Sequence, residues 1–210
     1  MIKVLIADDH LMFREGLKQI LSRQTDIVVS DEAGDASELI DKVRAGDFDV
    51  ILLDIGMPGR DGIDALKEIK RMKPALSILI LSMYPEDQYA VRAIRAGASG
   101  YLTKNRAGRE LIAALKKVAL GKKYISPDVG EQLASELERD SDQAIHKTLS
   151  DREYQVMCLI ASGKTVKQIS EQLSLSVSTI STNRARLLRK MNLKNNAEVT
   201  HYAIKHGLVE

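Results

Sequence analysis

The chain of 210 residues has a single cysteine, Cys158. No internal disulfide can form, and this usage fits a reducing cytoplasm. Cys158 falls in an apolar helical stretch and reads as a small core residue. No run approaches the ~20 apolar residues that span a bilayer, so no membrane partner is expected. The amino terminus enters a strand-like run without a basic region and cleavage site, so secretion is not expected and the cytoplasm is. No G-x-G-x-x-G follows a strand, which disfavours dinucleotide binding.

What is present is ordinary in bulk and uneven along the chain. Apolar residues make up 44% and charged residues 29%, as in a globular protein, and the length suits one large domain or two small ones. From Ile145 to Glu210 there are 10 Lys+Arg against 5 Asp+Glu, and before that 21 against 24. An acidic front and a basic back imply different partners, with the back facing polyanions.

The front half alternates short apolar runs with helical patterns five times. Strands are expected at Ile2–Ala7, Ile27–Asp31, Val50–Leu53, Ile78–Leu81 and Gly100–Leu102. They are rich in Ile, Val and Leu without alternation, as strands buried on both faces are. Helices are expected at Leu11–Arg23, Ala36–Ala45, Gly62–Met72, Glu86–Ala96 and Ala107–Leu120. Strand–helix repetition of this kind gives a doubly wound, five-stranded parallel sheet, an α/β domain.

Four of the apolar runs end in reactive groups: Asp8-Asp9 after the first, Asp54 after the third, Ser82 after the fourth and Lys104 after the fifth. In a parallel sheet the C-terminal strand ends share one edge, where ligands bind. These residues should therefore converge into an acidic pocket with one amine and one hydroxyl. Carboxylates hold a hard cation such as Mg2+, and the cation, amine and hydroxyl position a phosphoryl group. The rival reading of Asp8 and Asp9 is a helix N-terminal cap.

These residues resemble the receiver domain of a two-component response regulator. The run Asp54-Ile55-Gly56-Met57-Pro58-Gly59-Arg60-Asp61-Gly62 matches that family's D-x-x-M-P-x-x-x-G, and Tyr101 precedes Lys104 by three residues, where the family carries its switch aromatic. The resemblance implies a flavodoxin-like receiver with Asp54 as phosphoacceptor. Mg2+, or another divalent cation such as Mn2+, would be held by Asp9, Asp54 and the Gly56 backbone carbonyl, with Asp8 acting through water. Lys104 and Ser82 would bind the phosphoryl oxygens, and Tyr101 would rotate inward as Ser82 moves. Tyr101 as plain core stays open. His10 receives no role, and Tyr84 is expected near the pocket mouth. A phosphatase of the haloacid-dehalogenase kind needs a second Asp two residues after its nucleophile, and Gly56 stands there.

After the receiver, Gly121-Lys122-Lys123 ends the last helix, and Ser126-Pro127-Asp128 opens a short helix through Leu137. The polar run Glu136 to Asp142 reads as a flexible linker. Four helices are expected in the last third. Capping boxes at Ser150–Glu153 and Thr165–Gln168 open the first two. The third runs from Val177 to Met191 and the fourth from about Asn196 to Lys205, ended by Gly207. A short helix, a turn and a longer basic helix form a helix-turn-helix.

This region resembles the LuxR-type helix-turn-helix of NarL/FixJ regulators through Leu149-Ser150-x-Arg152-Glu153, Ala161-x-Gly163, Lys167-x-Ile169-x-x-x-Leu173, Ser178-Thr179-Ile180 and Leu188-x-Lys190-Met191. Candidate DNA contacts are Lys167, Ser178, Thr179, Ser181, Thr182, Asn183, Arg184, Arg186, Arg189 and Lys190. The arginines and lysines suit phosphates and the small polar residues suit base edges; a solvated helix face is the plainer reading of any single one. The expected domains are a receiver at 1–121, a linker with a short helix at 122–146 and an all-α DNA-binding domain at 147–210.

Together the resemblances imply a transcriptional regulator phosphorylated on Asp54 by a sensor histidine kinase, binding double-stranded promoter DNA as a homodimer, with RNA polymerase a further partner. The kinase is expected near Phe13, Arg14 and Leu17, and Val199, Tyr202 and Ala203 are expected either in the dimer contact or packed in the bundle. Self-phosphorylation from a small phosphodonor and autodephosphorylation would be the only chemistry. The rival reading keeps the fold and makes DNA binding, or a protein-partner role, independent of phosphate.

Overall fold

A computed structural model describes residues 1–57, 62–138 and 145–209, and the chain divides into two compact units, 1–136 and 137–210. In the first, five parallel strands stand in the order β2-β1-β3-β4-β5: β1 Ile2–Ala7, β2 Ile27–Ala33, β3 Val50–Asp54, β4 Ser77–Ser82 and β5 Gly100–Thr103. Every residue of β3 and β4 is buried, the reason these runs lack alternation.

Helices α1 (Leu11–Leu21), α2 (Ala36–Ala45), α3 (Gly62–Met72), α4 (Glu86–Arg95) and α5 (Lys104–Ala119) fill the crossovers. Val4, Ile6, Leu52, Leu79 and Leu81 form one core with Leu17 and Leu21 of α1 and Leu111, Leu115 and Val118 of α5. Each such buried leucine contributes about 1.5–3 kcal/mol.

The register sets the site. Ala7 pairs with Leu53, Asp54 with Leu81 and Ser82 with Thr103, so Asp8, Asp54, Ser82 and Lys104 leave the sheet at one edge. Helix α5 begins at Lys104, three residues before its expected start, because β5 runs straight into it with only Thr103 as junction. Gly62 explains the last position of the motif: a Cβ there would lie 2.4 Å from the Ile55 Cα. The motif residues 58–61 fall outside the described residues.

Beyond α5 the chain doubles back along the sheet edge. Tyr124 N donates to Ser99 O at 2.9 Å, and Tyr101 N donates to Tyr124 O at 3.3 Å. A side chain on Gly100 would meet the Tyr124 carbonyl at 2.6 Å. Helix α6 (Pro127–Glu138) follows, with Ser126 Oγ accepting from Val129 N at 3.3 Å. The segment expected as linker from 122 is thus ordered with the first unit as far as Glu136. Of the flexible run expected over 136–142, Glu136 to Glu138 is helical and the remainder lies outside the described residues.

The second unit contains a short 3-10 turn (Ile145–Thr148) and helices α7 (Asp151–Ala161), α8 (Val166–Gln172), α9 (Val177–Met191) and α10 (Asn196–Lys205). Both expected capping boxes are formed. Helix α7 is the centre, with Tyr154, Val156, Met157, Leu159 and Ile160 buried, and Cys158 buried beside them. Ile169, Leu173, Ile180, Leu187, Met191, Val199 and Ala203 complete the core.

Candidate functional sites

The strand ends place two buried carboxylates around one buried amine. Asp8 is 1% exposed, Asp54 4% and Lys104 8%. Lys104 Nζ lies 2.6 Å from Asp8 Oδ2 and 2.6 Å from Asp54 Oδ2. Gly56 N donates to Asp54 Oδ1 at 2.7 Å. The half-buried Asp9 completes the cluster: one ligand atom each of Asp8, Asp9, His10 and Asp54 lie within 4.8 Å of one another.

One ammonium cannot balance these carboxylates. Burial pushes the Asp54 carboxyl above the ordinary aspartate range; Lys104 opposes this and the charge of Asp8 adds to it. Burial pulls Lys104 down, but the charge of Asp54, the hydrogen bond to it and the nearby charge of Asp8 outweigh it, so its pKa is raised. The amine gains from two carboxylates, while each carboxylate gains only a share of the amine. Asp8 Oδ2 touches the ammonium yet accepts no well-directed hydrogen bond. Three carboxylates against one ammonium leave two negative charges, and hard oxygen donors with that deficit fit a divalent cation.

The switch residues are linked through one backbone. Ser82 is buried, and its Oγ accepts from Tyr84 N at 3.1 Å. The Tyr101 hydroxyl donates to Tyr84 O at 3.0 Å. The Tyr101 ring is already buried, so the inward rotation expected with phosphorylation has no outward starting point in this structure. Burial raises the Tyr101 phenol far above its usual value, which keeps it a donor. The Tyr84 ring stacks on Tyr89, centroids 4.7 Å apart.

Three residues of α1 and its approach lie against the pocket. His10 reaches back to both acidic residues, with Nδ1 3.2 Å from Asp8 Oδ1 and 3.0 Å from Asp9 Oδ1. The Phe13 ring lies under Lys104, with Nζ 4.6 Å from its centroid. Arg14 donates to the Asp8 carbonyl and, at 3.2 Å, to Glu32. Of the docking face expected around Phe13, Arg14 and Leu17, Leu17 is in the core and Phe13 and Arg14 are half-buried. Leu11 and Met12 are the exposed apolar residues of this helix. The available signal was the position of His10 and Phe13, one and four residues past the acidic pair.

In the second unit, α9 presents an exposed polar face. Ser178, Thr179, Ser181, Thr182, Arg186 and Arg189 are exposed, as is Lys167 on α8. Ile180 and Leu187 point into the core. Thr182 Oγ1 donates to Ser178 O at 2.9 Å and Asn183 Nδ2 to Thr179 O at 3.0 Å. Two expected phosphate contacts are engaged inside the unit: Arg184 donates to Asn196 Oδ1 at 2.6 Å, and Lys190 to Glu153 Oε2 at 2.6 Å. Glu153 is buried. Burial raises its pKa, but Lys190 and the amide and hydroxyl of Ser150 outweigh that and hold it below the ordinary range. Tyr202 accepts from His146 N at 3.4 Å, and Val199 and Ala203 are core. No helix among the described residues is long and apolar enough to cross a membrane.

Comparison with known proteins agrees with both units. Residues 4–116 match the response regulator receiver domain and residues 147–203 the bacterial regulatory proteins of the luxR family. Response regulator UvrY of Escherichia coli O6:H1 is 38% identical over 209 residues, 99% of this chain and 96% of that one. RcsB of Salmonella enterica serovar Typhimurium, solved on promoter rprA with the phosphomimetic BeF3-, superposes with a TM-score of 0.63 at 27% identity, covering 96% of this chain and 97% of RcsB. A structure of two RcsB dimers on two parallel DNAs gives 0.59 at 30% identity, covering 97% and 98%. With a receiver followed by a luxR-type DNA-binding unit along nearly its whole length, the chain belongs to the NarL/FixJ family of DNA-binding response regulators.

Proposed function

We propose that this regulator accepts a phosphoryl group on Asp54 from a sensor histidine kinase and, so modified, binds promoter DNA as a homodimer. The observation that carries this reading is the Asp54 carboxylate at the end of β3, held between Lys104 and the Gly56 amide beside Asp8 and Asp9. An Asp54 oxygen attacks phosphorus, an O–P bond forms, and the P–N bond to the donor histidine breaks. Asp9, Asp54 and the Gly56 carbonyl would hold Mg2+ or Mn2+, with Asp8 acting through water. That cation supplies charge neutralisation of the phosphoryl oxygens.

Lys104 passes from the carboxylates to a phosphoryl oxygen. Ser82 donates its hydroxyl to another. Because Ser82 Oγ holds Tyr84 N and Tyr84 O holds the Tyr101 phenol, a shift of Ser82 is transmitted to Tyr101 through the Tyr84 backbone. Two assembly states that differ in this surface respond by a population shift.

On DNA, α9 enters the major groove. Ser181, Thr182 and Asn183 face base edges, with Ser178 and Thr179 at the helix start. Arg186, Arg189 and Lys167 contact phosphates, and Arg184 and Lys190 do so only by releasing Asn196 and Glu153. Dimers read half-sites spaced by the DNA repeat; RcsB dimers bound to DNA are the parallel. RNA polymerase is a further partner, and the site of action is the cytoplasm. Apart from gaining and losing its own phosphoryl group, the chain has no catalytic role. The proposed domain limits are 1–121, 122–146 and 147–210.

Intact-mass measurement after incubation with acetyl phosphate and Mg2+ tests the acceptor. One phosphoryl adduct is expected on wild type and none on Asp54→Asn. An adduct on both, or on neither, contradicts the assignment. A second reading, DNA binding independent of phosphate, has one observation in its favour: Tyr101 is already buried.

A further inference from the structure

His10 stands where a helix cap would, yet its side chain makes no bond to the start of α1. The ring turns back over the acidic edge instead. Its Nδ1 is 3.0 Å from Asp9 Oδ1 and 3.2 Å from Asp8 Oδ1, and its backbone N donates to Asp8 Oδ1 at 2.9 Å. That last bond fixes the residue against the pocket while leaving the imidazole 65% exposed.

The spacing of Asp9, His10 and Asp54 is that of a ligand set drawn slightly apart, with Asp8 beside it to act through water. Donor atoms of Asp8, Asp9, His10 and Asp54 fit within 4.8 Å. Two ligand atoms facing each other across a cation with bonds of about 2.0–2.3 Å are about 4.0–4.6 Å apart, so closure takes a few tenths of an ångström. His10 is the one nitrogen donor among those four residues, and it reaches the cluster from the solvent side.

We infer that His10 is a specificity-determining metal ligand, giving the pocket an imidazole donor that favours a first-row transition dication over Mg2+. This rests on the reading of the pocket as a divalent-cation site. Mg2+ demands oxygen ligands in near-ideal octahedral geometry and keeps its waters. Transition dications accept imidazole nitrogen readily, and affinity at mixed N/O sites rises along the first row. Nδ1 faces the carboxylates while the imidazole is 65% exposed, so the ring reaches the cluster without being buried.

The test uses the full chain with Mn2+ as probe. Pulsed electron paramagnetic resonance of the Mn2+-loaded protein should show the nitrogen coupling of a directly bound imidazole, absent in His10→Gln. Displacement of Mn2+ by added Mg2+ should need roughly tenfold less Mg2+ in His10→Gln, the scale of losing one supporting group at a metal site. Mn2+ held without imidazole coupling, with the same Mg2+ competition in both proteins, overturns the role of His10 and leaves the cation pocket standing. No saturable Mn2+ binding by wild type, or binding unchanged in Asp9→Asn, overturns the pocket and the inference together.

Discussion

The two units treat the starts of their helices in opposite ways. Among the described residues of the DNA-binding unit, helices α7 to α10 are each capped by a side chain: Ser150, Thr165, Ser176 and Asn195 each accept from a backbone N–H one turn in. In the receiver, α2 is capped by Asp35. Helices α1, α4 and α5 have no side-chain cap from His10, Pro85 or Thr103. Those three follow β1, β4 and β5, the strands that carry Asp8, Ser82 and Lys104 to the pocket. Free N–H groups at a helix start favour an anion. The receiver leaves these three helix starts without a side-chain cap at the pocket edge, and the DNA-binding unit caps its own.

The same contrast holds for buried charge. Asp54 is held in the fold at a cost, its carboxyl raised by burial, whereas Glu153 is stabilised, its carboxyl lowered by Lys190 and Ser150 against the opposing effect of burial. Function and stability are separated between the units, and substitutions should separate them too.

The largest effect is expected from Lys104→Met, which leaves Asp8 and Asp54 facing each other without a counter-charge. Without divalent cations, chemical denaturation should show a loss of about 3 kcal/mol in the receiver transition, and Mg2+ should restore part of it by binding the native state. A loss unaffected by Mg2+ would break the account of the charge deficit. Asp54→Asn should abolish the phosphoryl adduct while stabilising the receiver, since it removes a carboxylate that burial disfavours. A destabilised Asp54→Asn would show that the pocket is not held at a cost.

Caps sharpen the comparison at the next level. Ser176→Ala and Thr165→Ala should each cost the DNA-binding unit about 1 kcal/mol, read by hydrogen exchange in α9 and α8. Thr103→Ala should cost α5 a few tenths at most, because Thr103 caps nothing. Equal costs would erase the distinction.

The smallest expected effect is one of sign with pH. Folded Asp54 keeps its proton to higher pH than the unfolded chain does, so its ionisation destabilises the receiver as pH rises out of the ordinary carboxylate range. The stability gained by Asp54→Asn should grow over that interval. Folded Glu153 keeps its charge to lower pH, so its contribution is complete above the ordinary range and fades on acidification. The penalty of Glu153→Gln should shrink as pH falls. Matching slopes at the two sites would contradict the opposite settings.

Much of this was legible in the residues. The strand-end groups declare the pocket because a parallel sheet gathers them at one edge whatever the helices do. Caps are legible because a serine and the glutamate three residues on are local partners, as at Ser150 and Glu153. What was hidden depended on contacts far apart in sequence or on the facing of a helix. Lys190 is bonded at 2.6 Å to Glu153, 37 residues earlier, a partner nothing local announces. Helix α1 brings the Phe13 ring centroid within 4.6 Å of Lys104 Nζ. His10 looked like a loop histidine because nothing local says which way its ring turns.

The most direct test of the central claim is sequencing of genomic fragments retained by the full chain with Mg2+, with and without acetyl phosphate, alongside Asp54→Asn. The account predicts enrichment at discrete sites for the phosphorylated wild type and none for the unphosphorylated or substituted protein. Equal enrichment in every condition would contradict it and make the receiver a passive neighbour of the DNA-binding unit.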